Sequence, residues 1–154
     1  MKTDANRDAP RPTEGNTAPR VLVVDDCRAS ADALSAYLTA GGMEVRAVYH
    51  GSDALKEAKN WRPECIVLDV AMPGLSGIGV ATALRRIEAT ATIPLLAFTA
   101  YDTVDQLREM EEVGFEAVCL KPAELSQLEN LILRLMGREP PEAFQVVAAQ
   151  SLGA

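Results

Sequence analysis

Three aspartates, a threonine and a lysine stand in an order that suits phosphoryl chemistry: Asp25 and Asp26, then Asp69, Thr99 and Lys121. Carboxylates drawn to one point repel each other, which forces a proton onto one of them or recruits a cation. All the donors are hard oxygens, a set that suits Mg²⁺ or Mn²⁺ over a thiolate-bound transition metal. Lys121 adds a positive charge that a metal site alone does not call for, but that an incoming anion such as a phosphoryl group would use. Asp69 can then act as a nucleophile at phosphorus, with the developing charge held by metal, lysine and the Thr99 hydroxyl. The product is an acyl phosphate that adds roughly one to two negative charges at that point.

Such a site needs elements that end where these residues begin. Val21 to Val24 is a continuous apolar run, the pattern of a central parallel strand, and Asp25 and Asp26 close it. Helical spacing follows from Ala29 to Ala40 and stops at Gly41-Gly42; Met43 to Val48 reads as a second strand nearer an edge. A helix from Ser52 to Asn60 precedes the third strand, Cys65 to Leu68, closed by Asp69. The loop from Val70 to Gly77 carries the breakers Pro73, Gly74 and Gly77. A helix from Ile78 to Glu88, a strand from Ile93 to Phe98 ending at Thr99, and a helix starting near Asp102 and ended by Gly114 follow. Ala117 to Leu120 is a fifth strand before Lys121-Pro122, and the last helix covers Ala123 to Met136. Phe144 to Val147 reads as a short strand or docking segment in the tail.

Five strand–helix repeats imply an α/β fold, a doubly wound parallel sheet with helices on both faces. Working residues in such sheets gather at the carboxyl ends of the strands. Asp25, Asp26, Asp69, Thr99 and Lys121 all fall there. Singly, Asp25 and Thr99 read as capping residues and Lys121 as a solvated lysine; the ordered set outweighs those readings.

Composition narrows the function classes. The 154 residues suit one domain with an aliphatic core, given 48% apolar and only 5% aromatic residues. The expected organisation is a flexible extension over 1–19, one domain over 20–137 and a tail over 138–154. A net charge of -7 argues against direct nucleic-acid contact. Cys27, Cys65 and Cys119 are too far apart in sequence for a C-x-x-C site, and Cys27 reads as a buried thiol. His50, the single histidine, reads as a surface or strand-end residue and a poor relay histidine. The charged, proline-bearing start lacks the apolar run of a signal peptide, and no apolar run approaches the roughly 20 residues that span a bilayer. A cytoplasmic location is expected, without membrane insertion.

The acidic pair Asp25-Asp26, Asp69 followed by Met72-Pro73 and Gly77, Thr99 with Ala100 after it, and Lys121-Pro122 resemble the receiver (response-regulator) family. The resemblance covers residue 20 to about 137 and implies a flavodoxin-like (βα)5 fold with strand order 2-1-3-4-5. It also implies that Asp69 accepts the phosphoryl group, that Asp26, Asp69 and the Ala71 carbonyl bind Mg²⁺, and that Asp25 acts largely through water. Lys121 would contact a phosphoryl oxygen, and the Lys121-Pro122 bond would be cis. The family often carries Tyr or Phe three residues before the lysine; this chain has Val118. Ala71 and Tyr101 offer no carboxylate or amide to orient water, so autodephosphorylation is expected to be slow.

The function so implied is a single-domain response regulator and not a turnover enzyme. It is phosphorylated by a histidine kinase or a histidine phosphotransfer protein and signals to a downstream protein target. A phosphorylation-independent binding module of the same fold is the alternative, drawing on Val118. A small aspartyl-phosphate phosphohydrolase would need a second acid and a lid, and the sequence suggests neither. Leu133 and Met136 beside the main apolar stripe of the last helix read either as a broad core face or as a partner or homodimer surface.

Overall fold

The computed structural model describes residues 17–72, 76–137 and 144–148. Among these residues six strands form one parallel sheet, in which β1 is Arg20–Val24, β2 Glu44–Val48 and β3 Cys65–Leu68. β4 is Leu95–Thr99, β5 Ala117–Leu120 and β6 Gln145–Val147. The order β2-β1-β3-β4-β5-β6 contains the expected 2-1-3-4-5 arrangement and extends it by one strand.

The sixth strand corrects the expectation of five. The chain beyond the last helix returns to pair Ala117 with Gln145, Val118 with Val146 and Cys119 with Val147. Side-chain alternation explains why it stays: Phe144 packs against the core on one face of the sheet and Val147 against the core on the other.

Among the described residues five α-helices cover the sheet: α1 (Arg28–Ala40), α2 (Gly51–Trp61), α3 (Gly77–Arg86), α4 (Val104–Val113) and α5 (Leu125–Met136). A 3₁₀ turn at Glu88–Thr90 follows α3, so the helix read as running to Glu88 stops two residues early. Two cores result. One holds Leu22, Leu68, Leu84, Leu95 and Met110; the other holds Val21, Leu34, Leu96, Leu128 and Ile132. β1, β3 and β4 are buried on both faces, which is why their sequences run apolar without alternation.

Capping residues set the helix starts more closely than apolar spacing does. Thr103, not Asp102, caps α4: its hydroxyl accepts from the Gln106 N–H while the Gln106 side chain accepts from the Thr103 N–H. Asp102 lacks a glutamine three residues on. α5 begins at Leu125, where the Gln127 side chain accepts from the Glu124 N–H at 3.2 Å and the Gln127 N–H donates to the Glu124 carbonyl at 3.0 Å, leaving Ala123 outside. Gly114 ends α4 in the left-handed region, φ 110°, as the sequence suggests.

Part of the sequence reading falls outside the described residues: the extension up to residue 16, the Pro73-Gly74 turn, and the tail at 138–143 and 149–154. Among the described residues no helix is long and apolar enough to cross a membrane. Leu133 of α5 is exposed, while Met136 packs against the second core, so the two do not form one apolar patch.

Candidate functional site

β1 and β3 are neighbours, so their ends bring Asp25, Asp26 and Asp69 to one place. The Asp69 N–H donates to the Val24 carbonyl at 2.9 Å and the Asp25 N–H to the Val48 carbonyl at 3.2 Å, continuing the sheet into the site. One carboxylate oxygen from each aspartate lies within 4.8 Å of the others, a grouping able to hold a metal ion. Asp25 and Asp69 are buried and Asp26 is exposed.

The buried carboxylates are each held twice. Asp25 Oδ1 accepts from the Cys27 N–H at 2.9 Å, and Asp69 Oδ1 from the Ala71 N–H at 3.0 Å. Lys121 Nζ donates to Asp25 Oδ2 and to Asp69 Oδ2, both at 3.2 Å. The lysine comes from the end of β5, and its own N–H donates to the Thr99 carbonyl at 2.8 Å. The Lys121-Pro122 bond is cis, as the resemblance implies. Thr99 is fully buried at the end of β4; its Oγ1 accepts from the Tyr101 N–H at 3.3 Å, which leaves its own proton free to donate.

Burial pushes the Asp69 carboxyl above its ordinary value, and Asp25 adds to that. The Ala71 N–H and Lys121 pull the other way without cancelling it. Burial alone would lower Lys121, yet Asp69 and Asp25 together raise it. The asymmetry is physical: the lysine has two carboxylates, whereas Asp69 shares one lysine with a second acid. The donors are all oxygens and carry more negative charge than Lys121 neutralises, which is the environment a hard dication fits.

The amino end of α3 seats the loop that carries Asp69. Gly77 donates its N–H to the Val70 carbonyl at 3.1 Å. A Cβ there would press against the Val70 Cα and lie 2.5 Å from the Asp69 carbonyl oxygen. Both are backbone atoms that cannot swing away. Gly77→Ala is therefore expected to destabilise the chain by about 2–3 kcal/mol, the scale of overpacking. It should also weaken Mg²⁺ binding, read from denaturant unfolding and a metal titration; unchanged values in both would refute the contact.

This geometry agrees with three comparisons. Residues 21–133 match the family model described as the response regulator receiver domain. The chain belongs to that family. The transcriptional regulatory protein PrrA of Mycobacterium tuberculosis is 37% identical over 124 residues, covering 80% of this chain and 52% of that protein. The DNA-binding response regulator MtrA of Mycolicibacterium smegmatis is 34% identical over 130 residues, covering 82% and 56%. The chain thus spans about half the length of the curated relatives it matches. Among solved structures, the chemotaxis response regulator CheY4 of Vibrio cholerae superposes with a TM-score of 0.73 at 28% identity, covering 77% of this chain and 99% of that one.

In this receiver all five residues singled out for chemistry sit at strand ends as expected, and Ala71 contributes through its N–H. One reading needs correction. Cys27 is exposed, because it takes the N-cap position of α1 with its side chain outside the core. Asp25 stands in the acidic cluster, as the ordered set suggests, and its Oδ1 accepts from the N–H of Cys27, the residue at the N-cap. His50 is exposed at the start of α2, as expected. The sequence reading missed Phe98, whose ring lies 5.1 Å from Lys121 Nζ. Its signal was its place one residue before Thr99, on the opposite face of the same strand.

Proposed function

We propose that this receiver accepts a phosphoryl group on Asp69 from a histidine kinase or histidine phosphotransfer protein and signals through protein–protein contact. The observation that carries the reading is the convergence of Asp25, Asp69 and Lys121, with Asp26 beside them, at the carboxyl ends of β1, β3 and β5. Mg²⁺, or Mn²⁺ in its place, suits Asp25, Asp26 and Asp69, with the Ala71 carbonyl as the backbone donor that the family resemblance implies. When bound, the dication neutralises carboxylate charge and draws charge from the phosphoryl oxygens.

An oxygen of Asp69 attacks phosphorus in line with the donor histidine. The P–O bond forms as the P–N bond breaks, and the electron pair returns to the imidazole nitrogen. Lys121 already points at Asp69 Oδ2, so a phosphoryl group attached to Asp69 meets its ammonium. The Thr99 hydroxyl supplies a second donor from β4. The added charge then biases an equilibrium between two conformations; moving it from 1:99 to 99:1 takes about 5.5 kcal/mol of differential interaction.

The net charge of -7 supports output by protein contact. The names of PrrA and MtrA favour a second reading of the output, in which a DNA-binding unit acts downstream of the same reaction. Retention of phosphorylated chain on DNA fragments would support that second reading.

Incubation with Mg²⁺ and acetyl phosphate tests the reaction itself. Intact mass is expected to rise by one phosphoryl group, to fall back with hydroxylamine, and to stay unchanged when a chelator is present. No gain in mass, or a gain indifferent to the chelator, would refute the proposal.

A further inference from the structure

We infer that Phe98 is a positioning residue for Lys121, its ring face holding the ammonium over the acidic cluster; this rests on the phosphoryl-transfer reading above. Lys121 Nζ lies 5.1 Å from the ring centroid, inside the roughly 6 Å over which an aromatic face attracts a cation. Of the three N–H groups on the ammonium, two positions are taken by Asp25 and Asp69 at 3.2 Å. The ring adds attraction without offering a lone pair or using a donor.

Lysine has a flexible four-carbon stem, and this one is reached by solvent: its side chain is 26% exposed. In the resting site the two carboxylates keep it in place. During transfer that hold weakens, because Asp69 shares its charge with phosphorus and the cluster shares its own with a dication. The ring's attraction is drawn down by neither event. It is therefore a contact that persists while the lysine moves from carboxylate to phosphoryl oxygen.

Phe98 is itself well anchored. It is buried within β4, pairs across the sheet with Cys119, and lines a recess of about 440 Å³ with Leu34, Pro122, Leu125 and Lys121. Adjacent residues of a strand face opposite ways. The end of β4 thus sends Thr99 to one side of the transferred group's path and the ring to the back of the lysine. A residue that only filled space here would be replaceable by any apolar side chain of similar size. The ring-face role requires an aromatic.

Phe98→Leu and Phe98→Tyr, each made with Lys121 intact and with Lys121→Ala, separate the two roles. The rate of phosphorylation by acetyl phosphate is expected to fall about threefold to tenfold in Phe98→Leu. It should stay within about twofold of the parent in Phe98→Tyr, and the leucine variant should cost nothing further once Lys121 is gone. Equal slowing by leucine in both backgrounds, or a tyrosine variant as slow as leucine, would overturn the inference. NMR of the unphosphorylated protein gives an independent reading. The ring current should move the Lys121 ε-methylene signals upfield in the parent and tyrosine proteins but not in Phe98→Leu. An ordinary lysine position in the parent overturns the inference alone. A parent that shows the upfield signals yet gains no phosphoryl mass overturns the phosphoryl-transfer reading, and the positioning role falls with it.

Discussion

Asp69→Asn is expected to abolish phosphoryl incorporation and, in metal-free buffer, to raise the melting temperature. The first effect follows from losing the nucleophile: an amide leaves no carboxylate oxygen to form the acyl phosphate, and incorporation should drop by at least about a thousandfold. The second follows from the resting site. Asp69 is buried beside Asp25, and its carboxyl is raised first by burial. The folded state therefore binds more protons than the unfolded chain at pH values between 3.8, the ordinary value, and the raised one. Stability falls as pH climbs through that window, and the penalty is complete above it. Asparagine keeps an acceptor for Ala71 and Lys121 while removing the charge. The expected gain is about 1 kcal/mol, or about 3–6 °C, at neutral pH. It should shrink as pH falls toward 3.8, where the parent carboxyl gains its proton. Mg²⁺ should reverse the order, since a ligand at a hundred times its Kd stabilises by about 2.7 kcal/mol and the variant has lost one carboxylate. Intact mass and thermal unfolding with and without Mg²⁺ check both effects. Incorporation that survived the substitution would place the nucleophile elsewhere.

Much of the site lay in the sequence. β1 and β3 were legible because both faces are buried, so each reads as an unbroken apolar run that an aspartate must terminate. Topology did the rest: parallel strands bring their carboxyl ends to one edge, so residues far apart in the chain had to meet. What spacing could not convey was pairing. Lys121 reaches Asp25 across 96 residues and Asp69 across 52, and no local pattern says that it bridges both. Cys27 was misread because free thiols are usually buried, whereas its own position is set by the turn into α1, where Asp26 and Arg28 are exposed as well. β6 was faint because three residues at a sheet edge carry little periodicity, and their partner, β5, is known only from the fold. Phe98 passed as ordinary core; its ring acquires a purpose only once Lys121 is seen beside it.

Lys121→Ala should separate two properties that loss of a metal ligand would move together. Phosphoryl incorporation is expected to fall about a hundredfold to a thousandfold, the cost of deleting one preorganised donor to a developing anion. Mg²⁺ is expected to bind the unphosphorylated site more tightly, by about tenfold. The ammonium lies 3.2 Å from oxygens of both Asp25 and Asp69, the same carboxylates a dication needs, so lysine and metal compete for one pool of negative charge. Without metal the variant should be less stable by about 2–3 kcal/mol, because it strands two buried carboxylates; the partly exposed lysine keeps this below the cost of a fully buried pair. Burial lowers Lys121, but Asp69 and Asp25 leave it raised above 10.5, so its contribution is complete below that pH and lost as pH rises through the raised value. The deficit is therefore full at neutral pH, and saturating Mg²⁺ should recover much of it. Asp26→Asn is the contrast: it removes a ligand and no cation, so metal affinity and phosphorylation should fall together. Calorimetric Mg²⁺ titration beside the mass assay decides the matter. Weaker metal binding in Lys121→Ala would mean that the lysine supports the cation site instead of opposing it, and that its charge is not held in reserve for the incoming phosphoryl group.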